Sequence, residues 1–112
     1  MQQDVLKAMC ALAVRLGKPL LVESIDADAD IGAVLAAHCP PDHPICLHAF
    51  AGSPDVGFAL LKRFTGMRLS FTASITFAKA AQIKTLAFDC PLDRLMLASS
   101  APFHRPKWVL LC

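Results

Sequence analysis

The sequence predicts an α/β fold in which short parallel strands alternate with helices. Three observations carry that prediction. Leu20–Val22, Ile45–Leu47 and Leu95–Leu97 are short continuous apolar runs, without the alternation that marks a strand with one wet face. The segments that separate the strands are long enough for a helical crossover, and strands joined in that way form right-handed βαβ units in a parallel sheet. A chain of 112 residues fits one domain of the usual ~100 to 150 residues, with no room for a second.

The elements follow in order. Val5, Leu6, Met9, Leu12, Ala13 and Leu16 recur at helical spacing, and Gly17 supplies a C-terminal stop. Lys18 and Pro19 lead into the first strand, Leu20 to Val22. Asp26 is an N-cap candidate for a helix reaching about His38, with Asp28 and Asp30 near its positive end. Pro40 and Pro41 block its continuation. The second strand, Ile45 to His48, ends in the small-residue turn Ala49 to Gly52. Ser53, Pro54 and Asp55 then supply a cap, a first-position proline and an early acid for a helix to about Phe64. After Gly66, the pattern reads as a strand over Arg68 to Ala73, a helix over Ala78 to Ala87 and a strand over Arg94 to Ala98. An apolar tail with Trp108, Val109, Leu110 and Leu111 closes the chain. Four such units suit an open doubly wound sheet or half of an eight-stranded barrel. Neither a G-x-G-x-x-G nor a P-loop is present to favour the open sheet.

Composition removes several function classes. The residues are 55% hydrophobic, which suggests surface that expects to be covered, yet no run approaches the ~20 apolar residues of a membrane span. The start, with Gln2, Gln3 and Asp4, lacks the basic region of a signal peptide. These features lead us to expect a cytoplasmic or nuclear protein that does not engage membranes. The net charge of +2 comes from scattered lysines and arginines, not from a stripe that would track phosphates. Five cysteines, odd in number and irregularly spaced, read as free thiols in a reducing compartment. Cys39, His43, Cys46 and His48 have the side chains of a zinc site, but Cys46 and His48 alternate along a strand, whereas a finger draws its ligand pairs from a turn and a helix. Buried cysteines and a solvated His43 are the plainer expectation.

Barrel enzymes keep their chemistry in the turns after the strands. In those turns Lys18-Pro-Leu-Leu-Val-Glu-Ser-Ile-Asp-Ala-Asp parallels K-P-L-V-I-H-S-R-D-A-E, and Leu47-His-Ala-Phe-Ala-Gly-Ser parallels I-H-C-F-S-G-S. Ser70-Phe-Thr-Ala corresponds to a small-residue F-S-G or F-T-A strand, and Pro91-Leu-Asp-Arg-Leu-Met-Leu-Ala-Ser-Ser-Ala-Pro-Phe to P-L-D-R-L-L-L-E-T-D-A-P-Y. With these four segments in order, the sequence resembles the TatD family of metal-dependent deoxyribonucleases over about Lys18 to Pro106. Pro40-Pro-Asp-His-Pro-Ile and Leu61-Lys-Arg-Phe are similar to its longer eukaryotic members. The resemblance implies a TIM barrel of the metallo-dependent hydrolase type. Residues 1–112 are then a single partial (βα)4 domain, the C-terminal half of that barrel.

The resemblance also implies a pair of divalent metals, magnesium, manganese or zinc, clamping the attacking and leaving oxygens of a DNA phosphodiester. Of six implied protein ligands, an H-x-H pair and a glutamate belong to strands upstream of the matched segments. The histidine of I-H-S is replaced by Glu23, the histidine of H-C-F is kept as His48, and the aspartate of E-T-D-A-P, which also serves as general base, is replaced by Ser100. The glutamate before it has become Ala98. Glu23 and His48 are therefore the metal-ligand candidates. No residue is assigned a catalytic role, since Ser100 is neutral where charge and basicity are needed. Plainer readings are exposure for Glu23 and a backbone hydrogen bond for His48. Asp93 and Arg94 are expected to fix the start of the last strand, and Asp26, Asp28 and Asp30 to complement a helix start. The expectation is a truncated hydrolase-family chain, nuclease by descent and impaired in catalysis, with no metal necessarily bound. The alternative is a non-catalytic interaction module. A half-barrel exposes two edges and an inner face, so self-association, or a partner supplying the missing half, is expected; DNA is a partner by resemblance only.

Overall fold

The computed structural model describes residues 1–106. Helix α1 (Gln2–Leu16) precedes β1 (Leu20–Glu23), α2 (Asp28–His38), β2 (Ile45–His48), α3 (Pro54–Arg63), β3 (Met67–Phe71), α4 (Ala81–Asp89) and β4 (Leu95–Leu97). The four strands form one sheet in the order β1-β2-β3-β4, and every pair is parallel. A doubly wound sheet reverses strand order at its switch point. Here the order never reverses and successive helices pack on one another, which is the half-barrel arrangement.

Local signals explain most boundaries. Gly17 adopts φ 62°, and the N–H groups of Gly17 and Lys18 return to carbonyls of Val14 and Ala13, closing α1. The Ser53 hydroxyl accepts from Val56 N–H at the start of α3, where Pro54 occupies the first turn. Lys62 and Arg63 lie in its last turn. Gly66 ends that connection because a side chain there would collide with the carbonyl oxygens of Asp42 and His43. Arg94 does fix the start of the last strand. Its guanidinium donates to the carbonyls of Leu61 and Phe64 at the C-terminal end of α3 and to Met67 of β3, where a cation also complements the helix dipole.

The core lies between the sheet and the helices. Leu20, Val22, Ile45, Leu47, Met67, Leu69 and Phe71 pack with Leu35, Leu60, Leu61, Phe64 and Leu86 into one cluster. Burying a side chain such as Leu47 contributes ~1.5 to 3 kcal/mol. The expectation of strands buried on both faces is corrected by the opposite face. Leu21 is 68% exposed and Met96 43%, because among the described residues no second set of strands covers them. β4 is also bare on its outer side: Leu97 is 86% exposed beside a 340 Å³ cavity lined by Phe71, Ala87, Leu95 and Leu97.

Other expectations also change. Ala27, not Asp26, precedes the first turn of α2, and Asp26 has φ 53°, so its side chain caps nothing there. The third strand ends at Phe71, and a single 3-10 turn (Ala73–Thr76) delays α4 to Ala81, beyond the expected start at Ala78. His43 is not solvated: it is 8% exposed, and its Nε2 has no hydrogen-bond partner. Cys10, Cys39 and Cys90 are buried as expected, and Cys46 is half-buried. Cys112 and the apolar tail from Trp108 to Leu111 lie outside the described residues.

Candidate functional site

The C-terminal ends of the strands gather the polar side chains of the open inner face. Because side chains alternate along a strand, the outward phase of β2 takes Ile45 and Leu47, leaving Cys46 and His48 for the inner face. Register sets Glu23 of β1 beside His48, so the two positions that the resemblance singles out stand next to each other. β3 contributes Ser70 in the same phase. Ser70 is 2% exposed, and its hydroxyl meets His48 Nδ1 at 3.3 Å. It also accepts from Ala49 N–H at 3.0 Å. Ala49 has φ 52°, uncommon for a residue with a side chain, at the turn where the chain leaves β2.

Ser100 reaches the other side of the imidazole. It follows β4, and its Oγ lies 3.2 Å from His48 Nε2. Strands two apart in a flat sheet are ~9.6 Å from each other, so the histidine spans β3 to make this contact. The Ser100 loop is held by Phe103 N–H to the Ser100 carbonyl at 2.7 Å and by Ala101 N–H to Ser99 Oγ at 3.1 Å. One turn further on, Thr72 Oγ1 meets His104 Nδ1 at 2.9 Å, and the His104 ring packs edge-on to Phe77.

Of the three positions singled out from sequence, His48 and Ser100 are joined by a hydrogen bond, while Glu23 is an exposed neighbour on the edge strand. The backbone hydrogen bond expected for His48 is replaced by two hydroxyls. Ser70 was missed. Its signal was a small polar residue between Leu69 and Phe71, in phase with His48. Asp28 and Asp30 sit in the first turn of α2, as the dipole reading expected.

The electrostatics are mild. Burial pushes the Cys46 thiol up, while a hydrogen bond from Ser70 and the charge of Arg68 pull it back down. No carboxylate joins the hydroxyls around His48. Among the described residues, no group of three or more His, Cys, Asp and Glu side chains is placed to hold a metal ion. Both imidazole nitrogens already face hydroxyls, and a serine cannot supply the charge a metal pair needs. The residues present do not fit the two-metal centre implied by the resemblance. Cys39, His43, Cys46 and His48 do not form a zinc site either.

Comparisons with known proteins agree with the fold. A family model described as TatD related DNase matches residues 1–109. The chain is 35% identical over 108 residues to the human 3'-5' RNA nuclease TATDN2 and 29% identical over 105 residues to the uncharacterized metal-dependent hydrolase YabD of Bacillus subtilis. It covers 14% of the first protein's length and 40% of the second's. Among solved structures, an uncharacterized amidohydrolase from Saccharomyces cerevisiae superposes with a TM-score of 0.80 at 16% identity, over 93% of this chain and 36% of that one. A TatD family hydrolase from Entamoeba histolytica superposes with a TM-score of 0.69 at 14% identity, over 83% and 30%. The sheet order, the strand-end register and the match over nearly the whole chain lead to one conclusion: this chain belongs to the TatD related DNase family of metal-dependent hydrolases.

Proposed function

We propose that this chain carries the C-terminal half of a TatD-type nuclease fold in a form whose metal-dependent phosphodiester chemistry is impaired. One observation carries the reading: Ser100 Oγ, at the family's aspartate position, sits 3.2 Å from His48 Nε2. A carboxylate there would bring charge to a cation and basicity to a nucleophilic water. A serine hydroxyl brings neither at neutral pH. The human relative is named an RNA nuclease and the family model a DNase, so both polymers are candidate ancestral substrates. The free thiols of the described residues suit a reducing cytoplasmic or nuclear compartment. No helix among those residues is long and apolar enough to cross a membrane.

The test is nucleotide release from single-stranded DNA and RNA with magnesium or manganese. The expected result is no metal-dependent cleavage by the chain. Cleavage that disappears in His48→Ala would overturn the reading. In calorimetry, Ser100→Asp combined with Glu23→His should tighten manganese binding by about tenfold or more, roughly 1.4 kcal/mol, and no gain would mean that these strand ends are not the ancestral ligand positions.

A second reading, that the chain acts by association, rests on the open inner face. Leu21 and Met96 are exposed there, and β1 and β4 are the edges of the described sheet. Parallel sheets are normally covered on both faces. A second copy supplying four more parallel strands is the occupant that fits a four-stranded half of an eight-stranded barrel.

A further inference from the structure

We propose that Ser100 and His48 form a nucleophile and base pair able to hydrolyse small activated acyl esters without a metal. The pair is built by three elements. His48 projects from β2, Ser70 from β3 holds its Nδ1 side at 3.3 Å, and Ser100 after β4 meets Nε2 at 3.2 Å. A hydroxyl has two acceptor lone pairs and one proton. In the tautomer assigned here to His48, Ser70 uses its lone pairs for Ala49 N–H and His48 Nδ1–H. That assignment leaves Nε2 unprotonated, facing the Ser100 hydroxyl. Such a contact is the arrangement by which an imidazole activates a serine.

Both residues are half-buried, so a small ester can reach them from the open rim. Acyl transfer suits this site better than phosphodiester cleavage, because it proceeds through one oxyanion and does not require neutralising a charged phosphate. In the step, the bond from Ser100 Oγ to the acyl carbon forms as the hydroxyl proton passes to Nε2. The tetrahedral intermediate collapses, the bond to the leaving oxygen breaks, and that oxygen takes the proton from His48. Water then attacks the acyl-serine, giving its proton to Nε2, and the returning proton restores the Ser100 hydroxyl as the carboxylic acid departs. Ser70 acts as a positioning residue, since of the two reacting groups it touches the imidazole and not the nucleophile. A neutral hydroxyl orients the ring less strongly than the buried carboxylate of a full triad, which restricts turnover to esters with good leaving groups.

The experiment uses the full chain with a chelator present, so it is independent of the nuclease reading. A fluorophosphonate probe should add its phosphonyl mass to Ser100, releasing fluoride, and p-nitrophenyl acetate should release phenolate. Ser100→Ala should abolish labelling. His48→Ala and His48→Gln should slow it by about a hundredfold, within the range of general-base catalysis; the glutamine variant keeps a hydrogen-bonding side chain in the strand should alanine fail to fold. In 15N NMR the His48 ring should carry its proton on Nδ1, and Ser70→Ala should move the pattern toward the other tautomer. Absence of labelling, labelling at another residue, or an unchanged rate in both His48 variants overturns the proposal.

Discussion

The two faces of the sheet are built from the same strands and differ in almost everything else. On the helix side, no residue from Leu20 through Phe71 in the outward phase exceeds 7% exposure. On the inner side the alternate residues are Leu21, Glu23, Cys46, His48, Arg68, Ser70 and Met96, a mixture of exposed apolar, charged and hydrogen-bonded groups. The outer face provides a complete core within the described residues. The inner face carries Glu23 and His48, which the resemblance singles out, and among the described residues no further strand covers it. Packing and polar side chains are thus separated by strand phase, and the helix-packed core is complete on its own side.

The largest expected effect breaks the outer face. Leu47 is 1% exposed at the centre of the sheet, two positions after Ile45 and one before His48. Leu47→Ala removes its contacts and leaves a cavity, which should cost ~2 to 5 kcal/mol. Urea unfolding followed by circular dichroism measures it. A loss under about 1 kcal/mol would mean that the helices do not hold this face as tightly as the packing indicates.

How far these faces were legible in the sequence depends on the kind of signal. Ser53, Pro54 and Gly17 act through their own backbone neighbours, so the start of α3 and the end of α1 could be read directly. Leu20 to Val22 is apolar throughout because in the family's closed barrel both faces would be covered; the run could not reveal that Leu21 stays exposed in this chain. Asp26 resembled a cap by composition, but it has a left-handed backbone and Ala27 takes the capping position. At the candidate site, the resemblance singled out His48, Glu23 and Ser100, yet the hydrogen bond across β3 is tertiary. Ser70 became visible only when strand phase placed it beneath the imidazole.

The thiols sharpen the contrast at alkaline pH. Cys39 caps the end of α2 within the core, and its thiol is pushed up to about 12, first by burial and then by its hydrogen bond and charge interaction with Cys10. A folded value above the unfolded one favours the protonated form in the fold. This contribution is therefore fully present below the unfolded value near 9 and is lost as pH rises toward about 12. Between those limits stability should fall by up to ~1.4 kcal/mol per pH unit from this group. Urea midpoints measured from pH 8 to 11 should show a shallower decline in Cys39→Ala than in the wild type. Identical slopes would mean that Cys39 does not supply the linkage.

The smallest expected effect belongs to Leu21, the inner-phase neighbour of two core residues. Leu20 and Val22 flank it in β1 and face the helices, so a change at Leu21 tests whether the inner face contributes to the fold of one chain or only to association. At 68% exposure it has little contact to lose, and substitutions away from packed features stay within about ±0.5 kcal/mol. Leu21→Asn should therefore leave the urea midpoint of dilute protein unchanged. It should still matter at higher concentration: light scattering coupled to size exclusion, across a tenfold range, should show the wild type growing beyond the 12.0 kDa monomer and the variant growing less. Equal masses for both proteins at every concentration would remove Leu21 from the association surface. A large loss of stability in dilute protein would show instead that the inner face is already covered within a single chain, and the separation between a folding face and a partner face would not hold.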